Sequence, residues 1–253
     1  MLGHEVIQER EMDRQEKVVA VAQTVPRLRR LRGRVRRLLR QLLSSLERSK
    51  TDEWSQWYHN LYRSLGERGL QCNKPGACIP ELILHDVEGN EQRLSRCWAS
   101  KPALLVTMSL SCGRTRRYVR ELERLAGRFK DAINTAIIYV VEAHPVDVPS
   151  PYTGEIWLTP LNDIAGIHCR QPQTLEERIA LARQLRRRFH LTIPMLIDAL
   201  DNRAWRAFGS APNIGIVVQP DGTVFAKQGW FDPKEMEGQI KLLIERSAIT
   251  AVR

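Results

Sequence analysis

Two near-continuous apolar runs, Ala103-Leu104-Leu105-Val106-Thr107-Met108 and Thr135-Ala136-Ile137-Ile138-Tyr139-Val140-Val141, constrain this chain more than any other feature. Half-exposed strands alternate apolar and polar residues; runs without alternation belong to strands covered on both faces. Between the two runs Tyr118, Leu122, Leu125, Ala126 and Phe129 recur at helical spacing. Strand, helix and strand at this spacing form a βαβ unit, parallel and right-handed. A sheet buried on both faces needs helices on both sides, so the fold class is α/β.

The first run ends in Ser109-Leu110-Ser111-Cys112-Gly113, where the helix starts. A helix start directs unpaired N–H groups and the positive end of its dipole at its first residues. A thiol there has its thiolate favoured, and the thiolate is the reactive form. Cys112 is therefore a candidate nucleophile; a buried inert thiol is the alternative. The second run leads into Glu142-Ala143-His144-Pro145-Val146-Asp147. Ligands of open α/β sheets collect beyond the C-terminal ends of the strands. The two segments should thus face one crevice.

The remaining elements follow from local signals. Ile79–Leu84 reads as a strand turned back at Asp86–Asn90. Thr174-Leu175-Glu176-Glu177 resembles a capping box before a helix. Ile193–Asp198 reads as a short strand and Arg203–Phe208 as a short helix. Ile214–Val218 and Thr223–Gln228 form a hairpin across Gln219-Pro220-Asp221-Gly222, and a last helix starts at Asp232-Pro233. The long segment from Pro145 to Gln173 is either functional or a substructure of its own.

Residues 1–70 read as a helical, Arg-rich N-terminal extension and residues 71–253 as the main domain. Leu28, Leu31, Val35, Leu38 and Leu42 form a heptad-like stripe set among eight arginines between Arg27 and Arg40. Trp54, Trp57, Tyr58, Leu61, Tyr62 and Leu65 form a second stripe, of packing type. The net charge of +10 suits an anionic surface or an acidic partner. The basic stripe could pack on the main domain, join a homo-oligomer or bind an anionic surface. No nucleic-acid-binding signature accompanies it.

The 5 cysteines are odd in number and contain no C-x-x-C pair. That pattern argues for a reducing compartment. With no secretory signal or bilayer-length run evident, the expectation is a cytoplasmic protein. Cys72 and Cys78 read as two ordinary thiols, and no metal site or cofactor is expected.

From about 78 to 246 the chain resembles a thioredoxin-fold redoxin, and most of all the iodothyronine deiodinase-like proteins. Ser109-Leu110-Ser111-Cys112 is similar to that family's Ser-x-Thr-selenocysteine, with Cys112 in the selenocysteine position. Ile138-Tyr139-Val140-Val141-Glu142-Ala143-His144-Pro145-Val146-Asp147 is similar to its I-Y-x-x-E-A-H-x-x-D stretch. The Thr174–Arg178 segment, Ile193–Asp198 and Ala211-Pro212-Asn213 resemble bacterial members. The neighbourhood of Cys112 also resembles peroxiredoxins and glutathione peroxidases, but the Trp-Asn-Phe segment of the latter is not evident.

The resemblance implies a central mixed sheet with helices on both faces. It also implies an oxidoreductase in which Cys112 attacks iodine, peroxide oxygen or disulfide sulfur. Glu142 and His144 would bind substrate or move protons, and His suits that role near neutral pH. Ser109, Ser111 and Thr115 could donate hydrogen bonds to the thiolate. Arg114, Arg116 or Arg117 could lower its pKa, Arg117 being the one singled out. Pro212 would stand where thioredoxin folds carry a cis-proline. Thr115 occupies the second-cysteine position of a C-x-x-C, so the reductant must be another cysteine, Cys169 first, or an external thioredoxin- or glutathione-like thiol. A peroxiredoxin-like peroxidase, and a non-catalytic module recruited by the basic helix, stay open.

Overall fold

A computed structural model describes residues 53–251, so the Arg-rich stripe and its proposed roles lie outside the described residues. The described chain divides into two compact units. One holds residues 62–158 and 168–251; the other holds residues 53–61 together with Thr159–Ile167.

Helix α1 spans Glu53–Gly69 and crosses from one unit into the other. The larger unit then runs β1 (Ile83–His85), β2 (Glu91–Arg93), a short 3-10 turn (Leu94–Cys97), β3 (Ala103–Met108), α2 (Gly113–Phe129) and β4 (Asn134–Tyr139). In the smaller unit α3 (Pro160–Ala165) begins with Pro160 and ends at Gly166, whose φ of 63° closes it in the left-handed region. The long Pro145–Gln173 segment thus holds a small substructure. The larger unit resumes with α4 (Leu175–Phe189), β5 (Met195–Ile197), α5 (Arg203–Phe208), β6 (Gly215–Val218), β7 (Val224–Gln228) and α6 (Pro233–Ala251).

The seven strands make one mixed sheet in the order β2-β1-β5-β4-β3-β6-β7. β3 and β4 are parallel, Ala103 facing Asn134 through Met108 facing Tyr139. β4 and β5 are also parallel, whereas β6 runs antiparallel to β3 and to β7. Period-two alternation sends Leu105, Ala136, Ile138, Ile216 and Val218 to one face, where they join Leu94, Trp98, Ala204 and Phe208 in a single core. Leu104, Val106, Ile137 and Val217 point to the other face and are equally inaccessible. Both faces are covered by helices, as the unalternating runs require.

Several local expectations are met to the residue. Thr174 and Glu177 form a reciprocal capping box at α4, and Asp232 accepts from the Lys234 and Glu235 N–H groups at α6. The β6–β7 turn closes with Gly222 at φ +84°. The first hairpin is shorter than expected. Asp86 collects the N–H groups of Glu88 and Asn90 and the Asn90 and Gln92 amides, which confines pairing to three residues a side.

The end of α1 meets the loop after β7 at very short range. Tyr62 stacks on Trp230 with centroids 4.5 Å apart and planes 9° from parallel. A Cβ at Gly229 would lie 1.9 Å from the Gly66 carbonyl oxygen, so no side chain fits there. Gly229→Ala should cost at least about 3 kcal/mol through backbone displacement. Gly127→Ala, on α2 with open space around its Cβ, should be stabilising by up to about 1 kcal/mol. Urea-unfolding midpoints check this; similar midpoints for the two variants would contradict the close approach.

Candidate active site

β3 ends at Met108, and the chain turns through Ser109-Leu110-Ser111 before α2 begins. Cys112 is the residue preceding that helix, with extended φ −71° and ψ 120°. Only 4% of it is exposed. The turn is held by a buried carboxylate from the neighbouring strand. Glu142 Oε2 accepts the Ser111 N–H at 2.8 Å, and its Oε1 accepts the Tyr139 hydroxyl. Tyr139 OH in turn accepts the Leu110 N–H at 3.1 Å. Ser111 Oγ accepts the His144 N–H at 3.0 Å. Both ends of the crevice expected from sequence are therefore tied together through Ser111.

Burial and hydrogen bonding oppose each other at this site. Burial pushes the Glu142 carboxyl up, against hydrogen bonds from Ser111 and Tyr139 and from the Leu110 backbone that favour its ionised form. The Tyr139 hydroxyl goes well above its ordinary value, through burial and the Glu142 charge, and stays a donor. Burial also pushes the Cys112 thiol up. The Thr115 and Arg114 N–H groups, the Thr115 hydroxyl and the Arg116 charge pull the other way but do not offset it. The helix start alone led us to expect a favoured thiolate; desolvation outweighs the dipole here.

His144 is buried, and its pKa falls to about 4, chiefly through desolvation. Its Nδ1 lies 2.9 Å from the Trp157 carbonyl oxygen. A carbonyl only accepts, so Nδ1 carries the proton and Nε2 keeps its lone pair. Trp157 also packs edge-on against the imidazole, centroids 4.2 Å apart. His144 is thus a neutral acceptor at pH 7. It suits a substrate hydroxyl or a transferred proton, not an anion.

The supporting residues divide. Thr115 is buried at the first turn of α2, beside the sulfur. Ser109 is buried with its Oγ unpartnered, while its carbonyl receives the Cys112 N–H. Arg117 is corrected: it is exposed and lies over Tyr118 at 5.3 Å. The helical turn instead directs Arg116 inward, where its Nη1 donates to the carbonyls of Leu110 and Ser111, each at 3.0 Å. Pro212 is corrected too. No cis peptide occurs among the described residues, so it does not reproduce the cis-proline feature. It is buried next to Asn213, which donates to the Thr107 carbonyl at 3.1 Å. Cys169 is a buried free thiol held up at about 12 by burial and the Glu142 charge. Among the described residues no group of His, Cys, Asp or Glu could hold a metal.

The residues alone assign Tyr139 and Gln171 no role and do not separate Arg116 from its neighbours. Tyr139 is a polar interruption in an apolar strand, a signal that could have been read. Arg116 was one of three candidates that helical phase separates. Gln171 exchanges hydrogen bonds with the Glu142 backbone, at 3.0 and 3.3 Å, and its own N–H donates to Asp147 Oδ1 at 2.9 Å. Nothing in the sequence marks it.

The profile of the iodothyronine deiodinase family matches residues 36–246. The type II iodothyronine deiodinase of Fundulus heteroclitus is 33% identical over 90 residues, 35% of this chain. Those residues span 31% of that relative's length. Among solved structures, a putative thiol:disulfide interchange protein DsbE from Chlorobium tepidum matches at TM-score 0.47 and 13% identity, over 68% of this chain and 98% of its own. A secreted disulfide oxidoreductase of Mycobacterium tuberculosis matches at TM-score 0.43 and 13% identity, over 64% and 95%. The cytoplasmic expectation is corrected: this neighbour in fold is described as secreted, and the cysteine count does not fix a compartment.

The tautomer is directly testable. Long-range proton–nitrogen NMR should show His144 as the neutral Nδ1–H form at pH 7, titrating near 4. An unfolded histidine protonates near 6.5, so this residue's stabilisation is complete above pH 6.5. It declines as pH falls from 6.5 towards 4 and is flat below. An Nε2–H form, or a midpoint at 6.5, would contradict the site.

Proposed function

We infer the function from two facts together: the chain belongs to the iodothyronine deiodinase family, and its Cys112 sits alone at the start of α2 on a turn held by Glu142. The reading is a thiol-dependent oxidoreductase with Cys112 as nucleophile and an iodinated aromatic as substrate class. What supports it is the pairing of the turn before Cys112 by Glu142 and Arg116, with Arg114 and Thr115 donors facing the sulfur and the His144 backbone N–H held by Ser111 of the same turn.

In the step this supports, the Cys112 thiolate attacks iodine. The carbon–iodine bond breaks as a sulfur–iodine bond forms, and the ring carbon takes a proton. An external thiol attacks the Cys112 sulfur, expelling iodide and leaving a mixed disulfide. A second thiol releases Cys112 as a thiol. Two thiols are oxidised to one disulfide, carbon–iodine is reduced to carbon–hydrogen, and iodide and a proton are released. His144 Nε2, the ring nitrogen left with its lone pair, would accept a phenolic hydroxyl. Cys169 shares the Arg116 neighbour with Cys112 and, like it, is held protonated by burial, but it lacks the Thr115 and Arg114 donors that face Cys112, which favours an external reductant.

Iodide release from an iodinated phenol, with dithiothreitol as reductant, tests this. Cys112→Ser should lower turnover by about 100-fold or more, while Cys169→Ser retains most of it. An unchanged rate in Cys112→Ser would overturn the reading. Cys112-dependent consumption of hydrogen peroxide without iodide release would favour the peroxidase reading instead.

A further inference from the structure

A groove of about 680 Å³ opens at the end of the sheet away from Cys112. Its floor includes Ala136 of β4 and Met195 and Leu196 of β5, with Ile193 before β5 and Val87 from the first hairpin turn. β3 and β4 are parallel, and the groove takes Asn134, Thr135 and Ala136 at the start of β4. Cys112 follows the far end of β3, so six residues of strand, about 20 Å, separate the two. This groove is not part of the thiol site.

Its chemistry is two-sided. The floor is apolar, whereas the exposed Arg93, Arg96, Lys130 and Arg186 line the groove with the carboxylates of Asp86, which its own turn occupies, Glu88 and Glu123. Arg96 donates to Gln92. Neither Lys130 nor Arg186 has a side-chain hydrogen bond or ion pair among the described residues. Inside, Glu123 spends Oε1 on Thr192, leaving Oε2 buried with no hydrogen-bond partner. Thr135 Oγ1 is likewise buried and unpartnered. Buried polar atoms are normally satisfied, so two orphans in one lining point to a missing partner. Gly127 of α2 faces open space along the same wall, and Cys97 lines the groove, about half-buried.

We propose that this groove is a second binding site, for a small amphipathic organic anion. Its apolar body would lie on Val87, Ile193 and Met195. Its anionic group would meet Lys130 and Arg186, and a hydrogen-bond donor on the ligand would satisfy Glu123 Oε2. A purely apolar ligand would leave the cations and the orphan acceptor unanswered. A simple inorganic anion would leave the floor in water.

The probe is 1-anilinonaphthalene-8-sulfonate, which carries an apolar ring system, one sulfonate and one N–H. Calorimetric titration of the full chain should give saturable binding of one molecule per chain. Lys130→Glu combined with Arg186→Glu should weaken it by about tenfold or more, the scale of one lost charge-assisted contact. Gly127→Phe, which enters open space and spares the fold, should abolish it. Cys112→Ser should bind as wild type does. Mass-mapped alkylation of Cys97 at pH 9 should slow when the probe is bound. Non-saturable binding, unchanged affinity in both groove variants, or Cys97 alkylation indifferent to the probe would overturn the proposal.

Discussion

The Glu142 carboxylate is the interaction on which the reactive turn depends. It stands just beyond the end of β4, fully buried, and receives the Ser111 N–H and the Tyr139 hydroxyl. Tyr139 then receives the Leu110 N–H. Two successive backbone donors of the turn are thus satisfied by one strand end. Leaving either without an acceptor would cost about 1–3 kcal/mol. Arg116 closes the arrangement from the helix side by taking the Leu110 and Ser111 carbonyls. Donors and acceptors of one short turn are paired from opposite directions, and Cys112 is the next residue.

That rigidity carries a consequence for reactivity. A helix start favours a thiolate, but burial disfavours any charge, and here burial prevails. The resting site is therefore a protonated, shielded thiol surrounded by groups that favour its ionised form. Arg114 faces the sulfur with its backbone N–H and reinforces the placement with its side chain. Its guanidinium lies among Tyr62, Tyr118 and Trp230, each near 5 Å, and it donates to the Phe231 carbonyl. Arg178, almost fully buried, bonds the Asp198 and Ala199 carbonyls, while the Asp198 carboxylate caps α5 through Ala204 and Trp205.

Much of this was legible in the residues themselves. The unalternating runs at 103–108 and 135–141 specify doubly covered strands, and the parallel pairing with its helix follows from chain geometry. The Thr174 cap and the Asp221-Gly222 turn are local and were read as such. The meeting of the Cys112 turn with Glu142 and His144 was legible because both segments follow the ends of parallel strands. What was not legible depends on helical phase and on burial. Arg116 and Arg117 are adjacent in sequence but point to opposite environments, and Gln171 reaches Glu142 only because the long loop returns. The sign of the Cys112 shift required knowing how much water the turn excludes. Trp157, which sets the His144 tautomer through its carbonyl, contributes no side-chain chemistry that a motif could display.

The central claim is that Cys112 is the nucleophile. A single-turnover experiment without reductant tests it most directly. Wild-type chain mixed with an iodinated phenol should form one deiodinated phenol per chain, carry its oxidative modification on Cys112 alone, as mapped by peptide mass, and release one iodide when thiol is then added. Iodide release that persists in Cys112→Ser, or a modification that maps to Cys72, Cys78, Cys97 or Cys169, would contradict the account.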